Sequence, residues 1–292
     1  MRSRKEDITV LSSGSTPCST RRTDDGWEIV ELAPSLHRRF NEMYQGKRVT
    51  VVLPTYNERD SIREVVESFE RTGVVDEIIV VNNNAAPGTS EEIAPTTAVE
   101  IHEPKQGYGS AIRRGFREST GQFVCVCEPD GTFDADDIHK LLAYSRDVDI
   151  VYGSRTVGEF IWFGANMGFL IRFGNWSVAK LMEVLFNTNS LSDVGCTFRL
   201  ARREALDLLE PHFTIDGSSF GPEMMCLSIL AELRIVQIPV NYRARVGRSS
   251  VTGDLKVTVK LGLRMVGLIL DHRIRSTAIR TRIRSTTARP IG

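Results

Sequence analysis

The stretch RVTVVLPTYNERDSIREVVESFER, Arg48 to Arg71, changes its period halfway along. Its first part, VTVVLP, is a short β-branched and apolar run of the kind that forms a strand buried on both faces. Its second part sets Ile62, Val65, Val66 and Phe69 at helical spacing, with Asp60 as the expected cap. The polar turn PTYNE joins the two. The same unit recurs downstream. DEIIVVN, AVEIHEP, QFVCVCEPD and DVDIVYGS read as further strands, and GSAIRRGFREST and DADDIHKLLAYSR as further helices. Strand and helix alternating at this spacing predict an α/β fold, a mostly parallel sheet flanked by helices. Such sheets bind ligands beyond the carboxyl ends of their strands, which selects PTYNE, NNNAAPGT, EPKQGYGS, EPDGTFDADD and GSR together.

At 292 residues and 41% apolar, the chain can bury one large core. Its 37 basic and 37 acidic side chains balance, so the whole-molecule field gives no reason to expect nucleic acid as a partner. Five cysteines without a leader sequence suit a reducing cytoplasm better than a disulfide framework. No run reaches the roughly 18 uninterrupted apolar residues of a spanning helix. Residues 1–26, rich in Ser, Thr and charge, read as disordered, and WEIVELAPSLHRRFNEMYQGKR after them as a helical lead-in. EFIWFGANMGFLIRFGNWSVAKLMEVLFN, broken by Gly164, Gly168 and Gly174, reads either as an apolar flap or as helices packed on the sheet.

The C-terminal 253–292 forms a basic amphipathic helix followed by an Arg-rich tail. Lys256, Lys260 and Arg264 make a stripe on the helix, and RIRST occurs at Arg273 and again at Arg282. From Val251 onward nine Lys or Arg face two Asp. Two readings stand for this segment: contact with an anionic membrane surface, or a helix packed on the sheet with a solvated tail.

In EPDGTFDADD, Glu128 and Asp130 leave the strand at i and i+2, so both carboxylates can face one hard cation such as Mg²⁺ or Mn²⁺. Asp134, Asp136 and Asp137 suit the positive end of the next helix instead. Cys125 and Cys127 lack a second Cys or His pair at zinc spacing and read as core. Gly107, Gly109 and Ser110 open a helix and offer an anion site, without P-loop spacing.

Taken in order, VVLPTYNE, VDEIIVVNNN with GT, GYGSAIRRG, EPDGTF, GSR, DVGCTFRLARRE, PEM and IPVNYRARVGRSS resemble the family 2 glycosyltransferases. They are most similar to the dolichyl-phosphate mannosyltransferase and polyprenyl-phosphate glycosyltransferase branch. The resemblance covers about Val49 to Thr252. It implies a GT-A fold over 27–252, with its core at 48–252, and inverting transfer of a sugar from a nucleoside-diphosphate donor. Matched to the family's motifs, Pro54, Tyr56, Asn57, Glu58, Asn82, Asn83, Gly109, Glu128, Pro129 and Asp130 are expected to hold the nucleotide sugar. Glu128 and Asp130 stand at the family's metal-binding D-x-D, and Asn82 and Asn83 where the family has Asp. Arg155 and Arg199 match acceptor-side or phosphate-side positions. Arg245 and Ser249 match a phosphate clamp whose final Lys is Ser250 here.

The resemblance leaves the acceptor open. A polyprenyl phosphate, ionised near neutrality, attacks without a base and would place the protein at the inner face of the membrane. A soluble hydroxyl acceptor needs a base, for which Asp193 is the first candidate and Glu223 the second. The alternative for Asp193 is a salt bridge to Arg155 or Arg199, and for Glu223 a helix N-terminal charge. A third reading is a non-catalytic nucleotide-sugar binding module. Assembly into a homo-oligomer stays open.

Overall fold

The computed structural model describes residues 19–23, 26–31, 46–165, 167–247 and 255–287. Two compact units divide at Gly46 and Lys47. In the first, β1 (Ser19–Thr23) pairs antiparallel with β2 (Gly26–Glu31). This corrects two expectations: part of the segment read as disordered is a strand, and the lead-in begins as a strand and not as a helix. The β-branched and aromatic residues of GWEIVE are the strand signal that a helical reading overlooked.

The second unit holds a sheet of seven strands in the order β5-β4-β3-β6-β8-β7-β9. These are β3 (Val49–Thr55), β4 (Glu77–Asn82), β5 (Val99–His102), β6 (Phe123–Val126), β7 (Ile150–Ser154), β8 (Arg199–Arg202) and β9 (Ile235–Pro239). Five strand runs fall where the sequence places them. β8 runs antiparallel to both of its neighbours, and the remaining pairs are parallel. Every residue of β3, β6 and β7 is buried, which explains why these strands read as unbroken apolar runs.

Helices cover both faces. In α1 (Arg59–Arg71) Ile62, Val65, Val66 and Phe69 are buried as their spacing predicts, but the cap position is Glu58 and Asp60 lies in the first turn. The short α2 (Thr89–Ile93) follows β4. α3 (Tyr108–Glu118) lies so close to β3 that a Cβ on Gly115 would stand 2.2 Å from Val52 Cγ1. α4 (Ile138–Tyr144) follows a 3₁₀ turn at Ala135–Asp137 whose cap is Asp134, accepting from the Asp136 N–H. The acids after Gly131 thus do start the next helix.

α5 (Phe169–Phe186) settles the aromatic segment. Its second half is core, through Ala179, Met182 and Phe186, while Phe169, Leu170, Phe173 and Trp176 of its first half are exposed. α6 (Arg203–Leu209) and α7 (Phe220–Leu230) complete the packing, the latter apolar all round and buried nearly throughout. α8 (Leu255–Ile274) packs against α5 and α7. The expected tail is a further helix, α9 (Ser276–Thr287), with Ile283 buried and Arg280 and Arg284 3.6 and 3.2 Å from Glu232. The second RIRST is helical because Ile283 contributes an apolar contact that a charge count does not register. Among the described residues no helix is long and apolar enough to cross a membrane.

Candidate active site

The carboxyl ends of β3, β6 and β7 open into one cavity of about 1110 Å³. Its polar end holds Glu58, Glu128 and Asp130 with Arg155, Arg199 and Arg245, and its other wall is apolar, with Met167, Ile171, Val178, Leu261 and Met265.

Each acid is placed by the turn that carries it. Glu58 folds back on its own loop, where Oε2 accepts the N–H groups of Tyr56 and Asn57 at 2.8 and 2.9 Å and leaves Oε1 to the cavity. Asp130 is almost completely buried; its Oδ1 accepts from Thr132 N and Oγ1 at 3.0 and 2.6 Å, so Oδ2 alone is free to meet a cation. That cation is Arg245, whose Nη1 lies 2.9 Å from Asp130 Oδ2 and whose Nη2 lies 2.7 Å from Glu58 Oε1. Glu128 completes the group. Among the described residues no hydrogen bond reaches its carboxylate, and burial, then the charge of Asp130, push its pKa up to about 7. Among the described residues no three His, Cys, Asp or Glu side chains are grouped to hold a metal, but Glu128 and Asp130 offer two hard carboxylates, which fit Mg²⁺ or Mn²⁺ when phosphate oxygens and waters complete the shell.

The raised Glu128 pKa has a thermodynamic consequence. Below about pH 4.5 the group is protonated whether the chain is folded or not. As the pH rises through about 7 the folded protein must ionise a buried acid, and stability is lost. Glu128→Gln is therefore expected to stabilise the metal-free protein by about 2–3 kcal/mol at pH 8 and by much less at pH 5. Urea denaturation at both pH values checks this; equal gains at the two would contradict it.

The basic residues differ in how their charge is met. Arg155 forms a fork on Asp193, Nε to Oδ2 at 2.8 Å and Nη2 to Oδ1 at 3.0 Å, and its own N–H and that of Gly195 complete the carboxylate. Burial raises the Asp193 pKa, but the charge and hydrogen bonds of Arg155 outweigh it and hold the carboxyl below its ordinary value. Arg199 is buried without a carboxylate partner among the described residues. It donates to the carbonyls of Cys196 and Gly221 at 2.6 and 3.4 Å and lies over the Tyr152 ring. A buried cation met by carbonyls, the Met224 sulfur and a ring but by no acid among the described residues is costly unless an anion joins it.

Several expected site residues do other work. Asp193 has no exposed side-chain surface and both its oxygens are engaged, which is the geometry of the salt-bridge alternative. Glu223 is fully buried and accepts from Thr214 N, Thr214 Oγ1 and Ile215 N at 2.8, 2.5 and 3.0 Å, tying a loop to α7. Asn82 spends its amide on Glu100 and the Ala85 N–H, outside the cavity. Asn83 reaches the cavity wall, yet it mainly fastens the 103–107 loop, donating to two carbonyls and accepting from the Gly107 N–H.

The anion site expected at Gly107, Gly109 and Ser110 is filled by the chain. The Ser110 N–H donates to Asp216 O at 3.1 Å, and a Cβ on Gly109 would stand 2.4 Å from Ile215 O, so these glycines admit a neighbouring backbone. Pro54 and Tyr56 line the cavity; Asn57 is exposed beside it, and the Pro129 carbonyl accepts from Ser61 Oγ at 2.6 Å. Cys125 and Cys127 are buried in the sheet. Ser249 lies outside the described residues.

Sequence reasoning passed over Tyr108, Thr197 and Tyr242, all of which line the cavity. The Tyr108 and Thr197 hydroxyls are buried without a hydrogen-bond partner among the described residues, and Tyr242 packs its ring beneath Arg155 at 5.3 Å. Tyr108 and Tyr242 sit inside motifs read for their glycines and arginines, so the signal was present and was credited to neighbours.

A seven-stranded, mostly parallel sheet with acids and arginines at its strand ends has the layout of the GT-A fold. Crystal structures of glucosyl-3-phosphoglycerate synthase from Mycobacterium tuberculosis share the fold. The complex with Mn²⁺, UDP and glucosyl-3-phosphoglycerate matches with a TM-score of 0.62 at 17% identity, over 80% of this chain and 83% of that one. The complex with Mg²⁺ and UDP gives 0.62 at 18% identity, over 80% and 82%. Residues 50–209 match the model of glycosyl transferase family 2. An uncharacterized glycosyltransferase of M. tuberculosis is 32% identical over 218 residues, 73% of this chain and 94% of the relative. A dolichyl-phosphate beta-glucosyltransferase of Trichomonas vaginalis is 27% identical over 236 residues, 73% of this chain and 69% of the relative. The chain belongs to glycosyl transferase family 2.

Proposed function

We propose that the protein transfers a sugar, with inversion, from a nucleoside-diphosphate donor to the phosphate of a polyprenyl phosphate at a membrane surface. Mg²⁺ or Mn²⁺ held by Glu128 and Asp130 would neutralise charge on the departing diphosphate. Pro54, Tyr56 and Glu58 border the donor's end of the cavity. Arg155, oriented by Asp193, and Arg199, which lacks an acid among the described residues, supply charge for an attacking phosphate.

The observation that carries this reading is the fate of the two candidate bases. Asp193 is locked to Arg155 and Glu223 to the 214–215 backbone, so a hydroxyl acceptor finds neither carboxylate free to deprotonate it. A phosphate monoester needs no such help. An apolar chain on that phosphate also finds a place. The cavity's apolar wall continues to α5, where Phe169, Phe173 and Trp176 stack with centroids 6.0 Å apart in the open; Phe163, in the preceding loop, is also fully exposed. Exposed apolar surface of this extent next to a site marks an interaction face, and ring-rich surfaces suit the membrane interface.

The test offers radiolabelled UDP-, GDP- and dTDP-sugars with Mn²⁺ and three acceptors: a short polyprenyl phosphate in detergent, phosphoglycerate, and the matching polyprenol. Label passing into organic solvent with the polyprenyl phosphate alone is the expected result. Transfer to phosphoglycerate alone, which offers a hydroxyl beside its phosphate, would remove the lipid and restore the soluble hydroxyl acceptor. Transfer to the polyprenol would overturn the argument from missing bases.

A further inference from the structure

The acids of the site already hold a cation, and the chain itself provides it. Arg245 bridges two elements, reaching Asp130 Oδ2 at 2.9 Å beyond β6 and Glu58 Oε1 at 2.7 Å in the turn before α1. The side chains are 21%, 2% and 11% exposed, so the pairing is desolvated and stronger than a surface ion pair. Backbone bonds on either side deliver the residue: Arg243 N–H to Thr132 O at 2.7 Å and Val246 N–H to Asp130 O at 3.0 Å. The guanidinium is thus built into the acid loop.

A divalent cation on Asp130 requires the oxygen that Arg245 now holds, because Thr132 occupies Oδ1. Two cations on one buried oxygen repel strongly, so one must leave. We infer that Arg245 is an internal competitor for the divalent metal: without nucleotide it fills the cation position and keeps metal affinity low. The donor's diphosphate, by drawing the guanidinium to its own oxygens, frees Asp130 for the metal. Metal and nucleotide then bind interdependently, each raising the affinity for the other by the same factor. This rests on the metal and donor reading given above.

The experiment is a Mn²⁺ titration of the full chain, reading the free ion by electron paramagnetic resonance, with and without UDP or GDP. For Arg245→Gln, Mn²⁺ binding without nucleotide is expected to tighten on the order of tenfold, and the enhancement by nucleotide to shrink correspondingly. Arg245→Lys keeps a charge but cannot bridge two acids as a planar fork does, so it is expected between the two, which also serves if the glutamine variant does not fold. Mn²⁺ binding to either variant no tighter than to wild type overturns the competition while leaving the metal reading intact. Absence of Mn²⁺ uptake by wild type even with both nucleotides would remove the metal reading and the inference together.

Discussion

Asp193→Ala is expected to destabilise the protein by about 3–5 kcal/mol, because it leaves the Arg155 guanidinium buried and unpaired. The Arg155 side chain is only 13% exposed and that of Asp193 not at all, so water replaces the lost partner poorly. The change also frees the N–H groups of Arg155 and Gly195 that the carboxylate now accepts. A chemical denaturation midpoint measures the effect. A catalytic base predicts something different, namely wild-type stability with a fall in turnover. Retained stability in Asp193→Ala would therefore return Asp193 to that role. A double change to apolar residues, Arg155→Met with Asp193→Leu, is expected to recover much of the stability and none of the activity, since breaking a buried pair costs far more than replacing it.

Asp130→Asn is expected to lower kcat/KM for transfer by about 10²–10³-fold or more, as loss of one electrostatic stabiliser of the leaving group does. The substitution keeps an oxygen for Thr132 at one position and puts an amide N–H where Oδ2 now meets Arg245. Donor then faces donor, and neither a metal nor the guanidinium finds its ligand. The fold should survive with a loss of about 1 kcal/mol, because Glu58 still holds Arg245. Steady-state assays with Mn²⁺ and a denaturation curve separate the two effects. Activity within a few-fold of wild type would show that Asp130 does not hold the reaction's cation.

The sheet was legible because strands buried on both faces must be short apolar runs, and β3, β4, β6 and β7 are such runs. Ile62, Val65, Val66 and Phe69 fixed the buried face of α1 in the same way. What the sequence left open or missed was partnership over long separations: a salt bridge of Asp193 to Arg155 or Arg199 is one of two readings, and the other contacts are not foreseen. The fork between Arg155 and Asp193 spans 38 residues, the contact of Ser110 with Asp216 spans 106, and that of Arg245 with Glu58 spans 187. A motif names a residue but not the atom that will already occupy its bonds. The Gly109 turn is the plainest case, since the same glycine permits either an anion or a carbonyl to approach, and the Asp216 loop supplies the carbonyl.

The sequence by itself determined that Glu58, Glu128, Asp130 and Arg155 gather at the ends of a mostly parallel sheet, because periodicity fixes which residues are strand and which lie beyond it, while only the family resemblance brought Arg199 and Arg245 there. Tertiary structure decided which of those charges are spent and which remain. Asp193 and Glu223 are consumed in bonds, Arg199 has no acid among the described residues, and Arg245 stands between Asp130 and Glu58. Burial makes that distribution decisive: in a desolvated site every charge must find a partner, and only folding determines which partner is within reach.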